Sequence, residues 1–241
     1  MSWHISDARR EAFQHRLLDW YRIGRRRFSW RNGKRSAYET LVAEMLLRKT
    51  DAAKVAAIFE GLIASYPRVK ALAAADEAAL REQIRLLGIF DRARLLRLTA
   101  QQILDRHAGR VPSTLSELLA LPGVGRYTAN AVLCFAYRRD APLLDSNIIR
   151  IFERVFTVRS SKARPHEDVA LWSFAEQLVP PGRATTYNRA LLDFAATVCT
   201  AAKPRCASCP ILFLCDYGQK HQTVAQVPAP PTKPENSSSK P

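Results

Sequence analysis

Leu121-Pro122-Gly123-Val124-Gly125-Arg126-Tyr127-Thr128-Ala129 is the stretch on which the fold turns. Pro122 stops a short helical pattern over Leu115–Leu119, and two glycines open a turn that side chains are expected to block. Gly123 and Gly125 flank the start of a helix predicted over Thr128–Tyr137. Backbone N–H groups at that helix start point outward at its positive end, so the segment is an expected anion site, with Arg126 adding charge. A bare Gly-x-Gly between helices is weak evidence, because many helical turns contain glycine.

Working outward, helical periodicity continues in both directions. Ser36-Ala37-Tyr38-Glu39 is a capping box, followed by Tyr38, Leu41, Val42, Met45 and Leu46 on one face. A helix from about Asp51 carries Val55, Ile58, Phe59 and Leu62 and stops before Pro67. Further helices are predicted over Glu77–Leu87, Ala93–His107, Ile148–Phe156, Asp168–Leu178 and Tyr187–Val198. No segment alternates with period two over the length of a strand, so the fold class is all-α with short connections.

The chain has 241 residues, room for one large domain or two smaller ones sharing a cleft. Lys plus Arg number 37 and Asp plus Glu 22, a net charge of +15 that points to a polyanionic partner, nucleic acid before a membrane surface. No run of apolar residues is long enough to span a bilayer, and the N-terminus has no apolar signal core. A soluble, intracellular protein is expected, cytoplasmic and associated with the nucleoid. Four of five cysteines, Cys199, Cys206, Cys209 and Cys215, fall within 17 residues as C-x6-C-x2-C-x5-C. That spacing suits one metal centre better than disulfides, and leaves tetrahedral zinc and an iron–sulfur cubane both open. Cys134, inside NAVLCFAY, reads as a small core residue. From about Gln222 the chain is rich in Pro and Ser and reads as a disordered tail (221–241).

Three separated segments then share one resemblance. LPGVGRYTANAV (121–132) resembles the helix–hairpin–helix of endonuclease III-like DNA glycosylases. LLDSNIIRIFERVF (143–156) resembles the segment bearing that superfamily's catalytic aspartate, and YNRALLDFAATVCTAAKPRCASCPILFLC (187–215) its [4Fe–4S] loop. With AEMLLRKT (43–50), the likeness covers roughly residues 10–217, and is strongest to the mismatch-specific thymine and adenine glycosylases. The resemblance implies two helical domains flanking a DNA-binding cleft. A six-helix barrel with the hairpin spans 29–140, and residues 1–28 plus 141–220 form the cluster domain. It also implies a structural [4Fe–4S] cluster on the four cysteines, presenting Lys203 and Arg205 to the DNA backbone.

Cleaving a glycosidic bond passes through an oxocarbenium-like sugar, which a carboxylate can stabilise or whose attacking water it can activate. Asp145 is the candidate; a helix N-cap is the structural alternative, and both roles can coexist. Tyr127 stands where bifunctional relatives carry a Schiff-base lysine, which implies base release without efficient strand cleavage. Glu44 lies one turn before Arg48, as a surface ion pair would. The resemblance places it instead in the base pocket, protonating the departing base. Arg48 and Lys49 fall where the family inserts side chains into the duplex, commonly glutamine, and ordinary phosphate contact is the rival reading. Leu121, Gly123, Val124, Gly125, Arg126 and Thr128 make up the DNA-binding hairpin. Arg25-Arg26-Arg27, with Phe28, Trp30 and Arg31, reads as part solvated face and part domain junction.

The expected function is a monofunctional base-excision-repair glycosylase, a monomer acting on duplex DNA with a mismatched or damaged base. Thymine or uracil opposite guanine leads, and adenine opposite guanine or 8-oxoguanine is the alternative. A non-catalytic DNA-binding iron–sulfur protein is a third reading, disfavoured by the presence of Asp145.

Overall fold

The computed structural model describes residues 3–32, 35–88 and 91–225. Among them every regular element is helical: α1 (Asp7–Gly24), α2 (Ala37–Leu47), α3 (Ala52–Ser65), α4 (Val69–Ala73), α5 (Glu77–Gln83) and α6 (Arg92–His107), then α7 (Leu115–Leu119), α8 (Arg126–Phe135), α9 (Ser146–Phe156), α10 (Val169–Gln177), α11 (Ala184–Thr197) and α12 (Asp216–Ala225). None is long and apolar enough to cross a membrane.

Side-chain caps set half of the helix starts among the described residues. Ser36 and Glu39 form the reciprocal capping box of α2, while Asp51, Asp76, Thr114 and Asp168 accept from the first turns of α3, α5, α7 and α10. Each cap satisfies backbone donors that a helix leaves open. The predicted helix over Glu77–Leu87 is interrupted: α5 ends at Gln83 and a 3₁₀ turn over Arg85–Leu87 leads to Gly88 at φ 72°. The short α4, which buries Val69, Leu72 and Ala73 against α6, escaped the periodicity reading because five residues carry little period.

Helices α2, α3, α6 and α8 pack together, and α1, α9, α11 and α12 form a second group, with one continuous buried core running through both. The join between groups is polar and specific. Asp193 on α11 has no side-chain exposure and accepts from Arg26 Nε and Arg31 Nη1, each at 2.8 Å, and from the Arg26 backbone N–H. Part of the arginine run is therefore a junction, as its sequence suggests. Helix α12 continues to Ala225, into the stretch read as tail; it packs on α9, and Arg9 pairs with Asp216 in its first turn at 2.9 Å. The rest of the tail reading lies outside the described residues.

Candidate active site

A cleft of about 600 Å³ opens beside the glycine turn, lined among others by Arg48, Lys49, Arg126, Tyr127, Thr128 and Asp145. Asp145 reaches it through an anchored connection. Asn130 on α8 donates to the Pro142 carbonyl at 3.0 Å. The fully buried Asn188 on α11 donates to the Ala141 carbonyl at 2.9 Å and accepts from the Leu143 N–H. Leu143 and Leu144 are buried, so the backbone enters α9 with little freedom and leaves Asp145 half-exposed in the cleft. There Oδ1 accepts from the N–H groups of Asn147 (3.0 Å) and Ile148 (2.8 Å), and Oδ2 from Asn147 Nδ2 (3.0 Å). The residue is an N-cap and a cleft carboxyl at once.

The hairpin carries its residues in two ways. Leu121 and Val124 are buried, and their N–H groups are engaged inside the turn, on Leu118 O and Leu121 O, each at 3.2 Å. They build the hairpin rather than present donors, which narrows the expectation drawn for them. Thr128 is likewise buried. Gly123 sits at φ +73°, and a Cβ there would lie 3.2–3.4 Å from Leu95. Gly125, the N-cap of α8, has no such neighbour and no left-handed φ. Only Gly123 is required by the turn; the second glycine leaves open space at the start of α8. Arg126 stacks on the Trp172 ring at 4.3 Å.

Arg48 does not pair with Glu44. Its Nη1 donates to the Gly123 carbonyl at 2.7 Å, tying the α2–α3 loop to the hairpin. Arg92 holds the same loop through the Arg48 carbonyl at 2.7 Å and Thr50 Oγ1 at 2.8 Å. Lys49, exposed at the tip, has a φ of 50°, a strained conformation for a side chain with a Cβ.

Behind the cleft is a small pocket of about 30 Å³, which Tyr127 and Leu47 line as they do the cleft, together with Trp30, Arg31, Glu44 and Arg189. Glu44 is buried, and its Oε2 has no hydrogen-bond partner. Burial pushes its carboxyl up to about 7, with Asp145 adding to the rise, while Arg31, Arg189 and the Tyr127 phenol pull the other way. Burial, then Glu44 and Asp145, raises the Tyr127 phenol well above its ordinary value. Glu44, Tyr127 and Asp145 thus feel one another where cleft and pocket meet.

Residues 42–177 match the HhH-GPD superfamily base excision DNA repair proteins. The chain belongs to that superfamily. It is similar to the thymine-DNA glycosylase of Aeropyrum pernix, 45% identical over 88% of this chain and 97% of that protein. It is also similar to the adenine DNA glycosylase of Mus musculus, 33% identical over 93% of this chain but 45% of that protein. Among solved structures, a thermostable thymine-DNA glycosylase superposes with a TM-score of 0.83 and 33% identity, over 89% of this chain and 98% of that one.

Separate from the cleft of this superfamily member, Cys199, Cys206, Cys209 and Cys215 line a single, mostly apolar cavity and form no disulfide. Arginines fasten the cysteine loop to α9. Arg154 donates to the Thr200 (2.6 Å) and Ala201 (2.8 Å) carbonyls and approaches Cys199 Sγ at 3.5 Å, and Arg150 Nε donates to the Cys199 carbonyl at 3.1 Å. The Gly218 N–H donates to Cys215 Sγ at 3.3 Å, an approach that the missing Cβ permits because one would meet Leu212 at 2.6 Å. Burial first, and then the Cys215, Cys199 and Cys206 thiols, push Cys209 up to about 12. Among the described residues no three such ligands stand close enough together to grip a metal as they are. The donor set of four thiols, with N–H donors to sulfur and apolar walls, fits a thiophilic metal group.

Sequence reasoning missed Asn130, Asn188, Asp193 and Arg189. Asn-Arg inside an apolar helical run, Asn188-Arg189, was the available signal: polar residues at core positions.

Proposed function

We propose that this chain is a monofunctional DNA glycosylase that removes thymine, or uracil, from opposite guanine in duplex DNA. The reading is carried by one observation: Asp145, Tyr127 and Glu44 meet at the junction of the cleft and the buried pocket. A nucleotide swung out of the duplex, at a lowered cost where the pair is mismatched, enters the cleft with its base toward Glu44. The N–H groups at the start of α8 and the charges of Arg48 and Lys49 hold the backbone. Asp145 stabilises the oxocarbenium-like sugar and takes the proton of the attacking water, so the C1′–N bond is hydrolysed. Its capping bonds fix the direction of the carboxyl. Tyr127 offers a phenol and no amine, so no Schiff base forms and the product is an abasic site. Protonated Glu44 donates to the departing base, a role suited to a carboxyl whose proton is held to about 7.

Division of labour follows the expected domains, 29–140 for the hairpin side and 1–28 plus 141–220 for the cysteine side. Cys199, Cys206, Cys209 and Cys215 would hold a [4Fe–4S] cluster, which supplies a cross-link fixing the loop that carries Lys203 and Arg205. Both of these are exposed. One copy of the chain suffices for this site. The choice of thymine over adenine is supported by the higher identity to the thymine-DNA glycosylase and by the end-to-end match with it. Single-turnover base release from G·T, G·U, G·A and 8-oxoguanine·A duplexes tests the proposal: thymine and uracil should be released, adenine little or not at all. Preferred release of adenine would overturn the substrate. For the cluster, Cys206→Ser should abolish the visible absorption of the purified protein.

A further inference from the structure

Arg189, on α11, is a cation that the fold leaves without a counter-ion. It lines the Glu44 pocket, makes no ion pair among the described residues, and its Nη1 reaches only the Arg31 carbonyl at 3.4 Å. Its guanidinium lies over the Phe135 ring at 5.3 Å, and its Nε is buried without an acceptor. Arg31, which lines the same pocket, differs: its charge is met by Asp193 at 2.8 Å. Arg189 is half-buried, and its enclosed Nε without an acceptor is costly to keep, so its place beside a reaction pocket asks for an anion that arrives only during the reaction.

The surroundings reinforce the positive field. Arg31 and Arg189 also border a recess of about 520 Å³ behind the pocket, whose walls include Arg22, Arg25, Arg26 and Arg27. Glu44 is the single carboxyl lining the pocket, and Arg189 makes no hydrogen bond or ion pair with it.

We propose that Arg189 is a catalytic residue that stabilises the negative charge developing on the departing pyrimidine. This rests on the reading of the pocket as the site of thymine or uracil. As the C1′–N1 bond breaks, both electrons leave with the base and spread over N1, O2 and O4. The sugar becomes the oxocarbenium ion, water adds to C1′, and its proton passes to Asp145. The charge that Arg189 meets builds ahead of proton transfer, and the departing base then takes its proton from Glu44. A pyrimidine lacks the basic imidazole nitrogen through which a purine can be protonated before it leaves, so its charge must be met by donors already in place.

The test is single-turnover release of thymine, uracil and 5-fluorouracil opposite guanine, whose N1 acidities rise in that order. In the unaltered enzyme the rate should depend only weakly on N1 acidity. Arg189→Gln should slow thymine release about 100-fold, the scale of losing one donor to a developing anion, and 5-fluorouracil release far less. Arg189→Lys should restore most of the loss, with DNA affinity unchanged throughout. An equal deficit on all three bases, or none, would overturn the assignment. Should Arg189→Gln not fold, the unaltered enzyme decides, since a steep rise in rate with N1 acidity would equally defeat the proposal. Failure of the substrate reading looks different: the unaltered enzyme would release none of the three.

Discussion

Two carboxyl groups a short way apart, Asp145 in the cleft and Glu44 in the pocket, are treated by the fold in opposite ways. Asp145 accepts three hydrogen bonds within its own first helical turn and stays half-exposed. Glu44 is buried on α2 with one oxygen unpartnered. Burial favours the neutral form of a carboxylic acid, and of the two it is Glu44 that is buried. In the proposed reaction Asp145 would serve the sugar and Glu44 would hold a proton for the base. Two acids of one chemical type serve two roles because their environments differ.

Removing the anion should produce the largest effect. Asp145→Asn is expected to lower base release by about 10³-fold or more, the scale of losing a positioned carboxylate in the transition state. Asparagine caps helices as well as aspartate, so α9 should persist and DNA affinity should stay close to that of the unaltered protein. Single-turnover kinetics beside a binding titration measure the two separately. Turnover that survives would remove Asp145 from the chemistry and leave it a cap.

The proton holder gives a smaller effect whose sign depends on pH. Glu44 is an acid whose folded value, about 7, lies above the ordinary 4.5. The folded chain therefore keeps a proton that the unfolded chain gives up. Stability is undiminished below about 4.5, falls as pH rises, and above about 7 carries the whole cost of ionising Glu44, about 3 kcal/mol. Glu44→Gln cannot ionise, so its denaturant midpoint should match that of the parent at pH 4 and exceed it at pH 8. Base release by the parent should decline as pH rises through about 7, and the glutamine variant should lack that step. Equal midpoints at both pH values would mean that the carboxyl ionises at no cost, and the contrast with Asp145 would fail.

How much of this was legible beforehand follows from the range of the forces involved. Capping residues and apolar periodicity act within a few residues, so Ser36, Asp51, Thr114 and Asp168 announce their helices in the sequence. Asp145 was also readable, because an aspartate opening an amphipathic helix is a local pattern. The groups that aim it were not. Asn188 acts on Ala141 and Leu143 across more than forty residues, and Asp193 on Arg26 and Arg31 across more than 160. No spacing rule reaches that far. Arg189 was hidden for the same reason: its charge matters only because α11 brings it against Glu44 from α2. Gly125 was misjudged in the other direction, since equal glycines in a turn carry no sign of which one the backbone requires.

That last difference gives the smallest and cleanest test. Gly123 has a left-handed φ and Leu95 against its open side, whereas Gly125 has an ordinary φ and nothing within 4 Å. Gly123→Ala should cost about 1–2 kcal/mol of stability, from the left-handed conformation and the displacement of Leu95. Gly125→Ala should change stability by no more than about 0.5 kcal/mol. Its methyl group would fill space left open beside the start of α8, where the proposed phosphate contact lies, so DNA affinity should fall without loss of fold. Denaturation midpoints and fluorescence-anisotropy titrations of the two variants separate the outcomes. If Gly125→Ala binds duplex DNA as well as the parent does, the positive end of α8 is not the phosphate contact, and the cleft must hold the backbone through Arg48 and Lys49 instead.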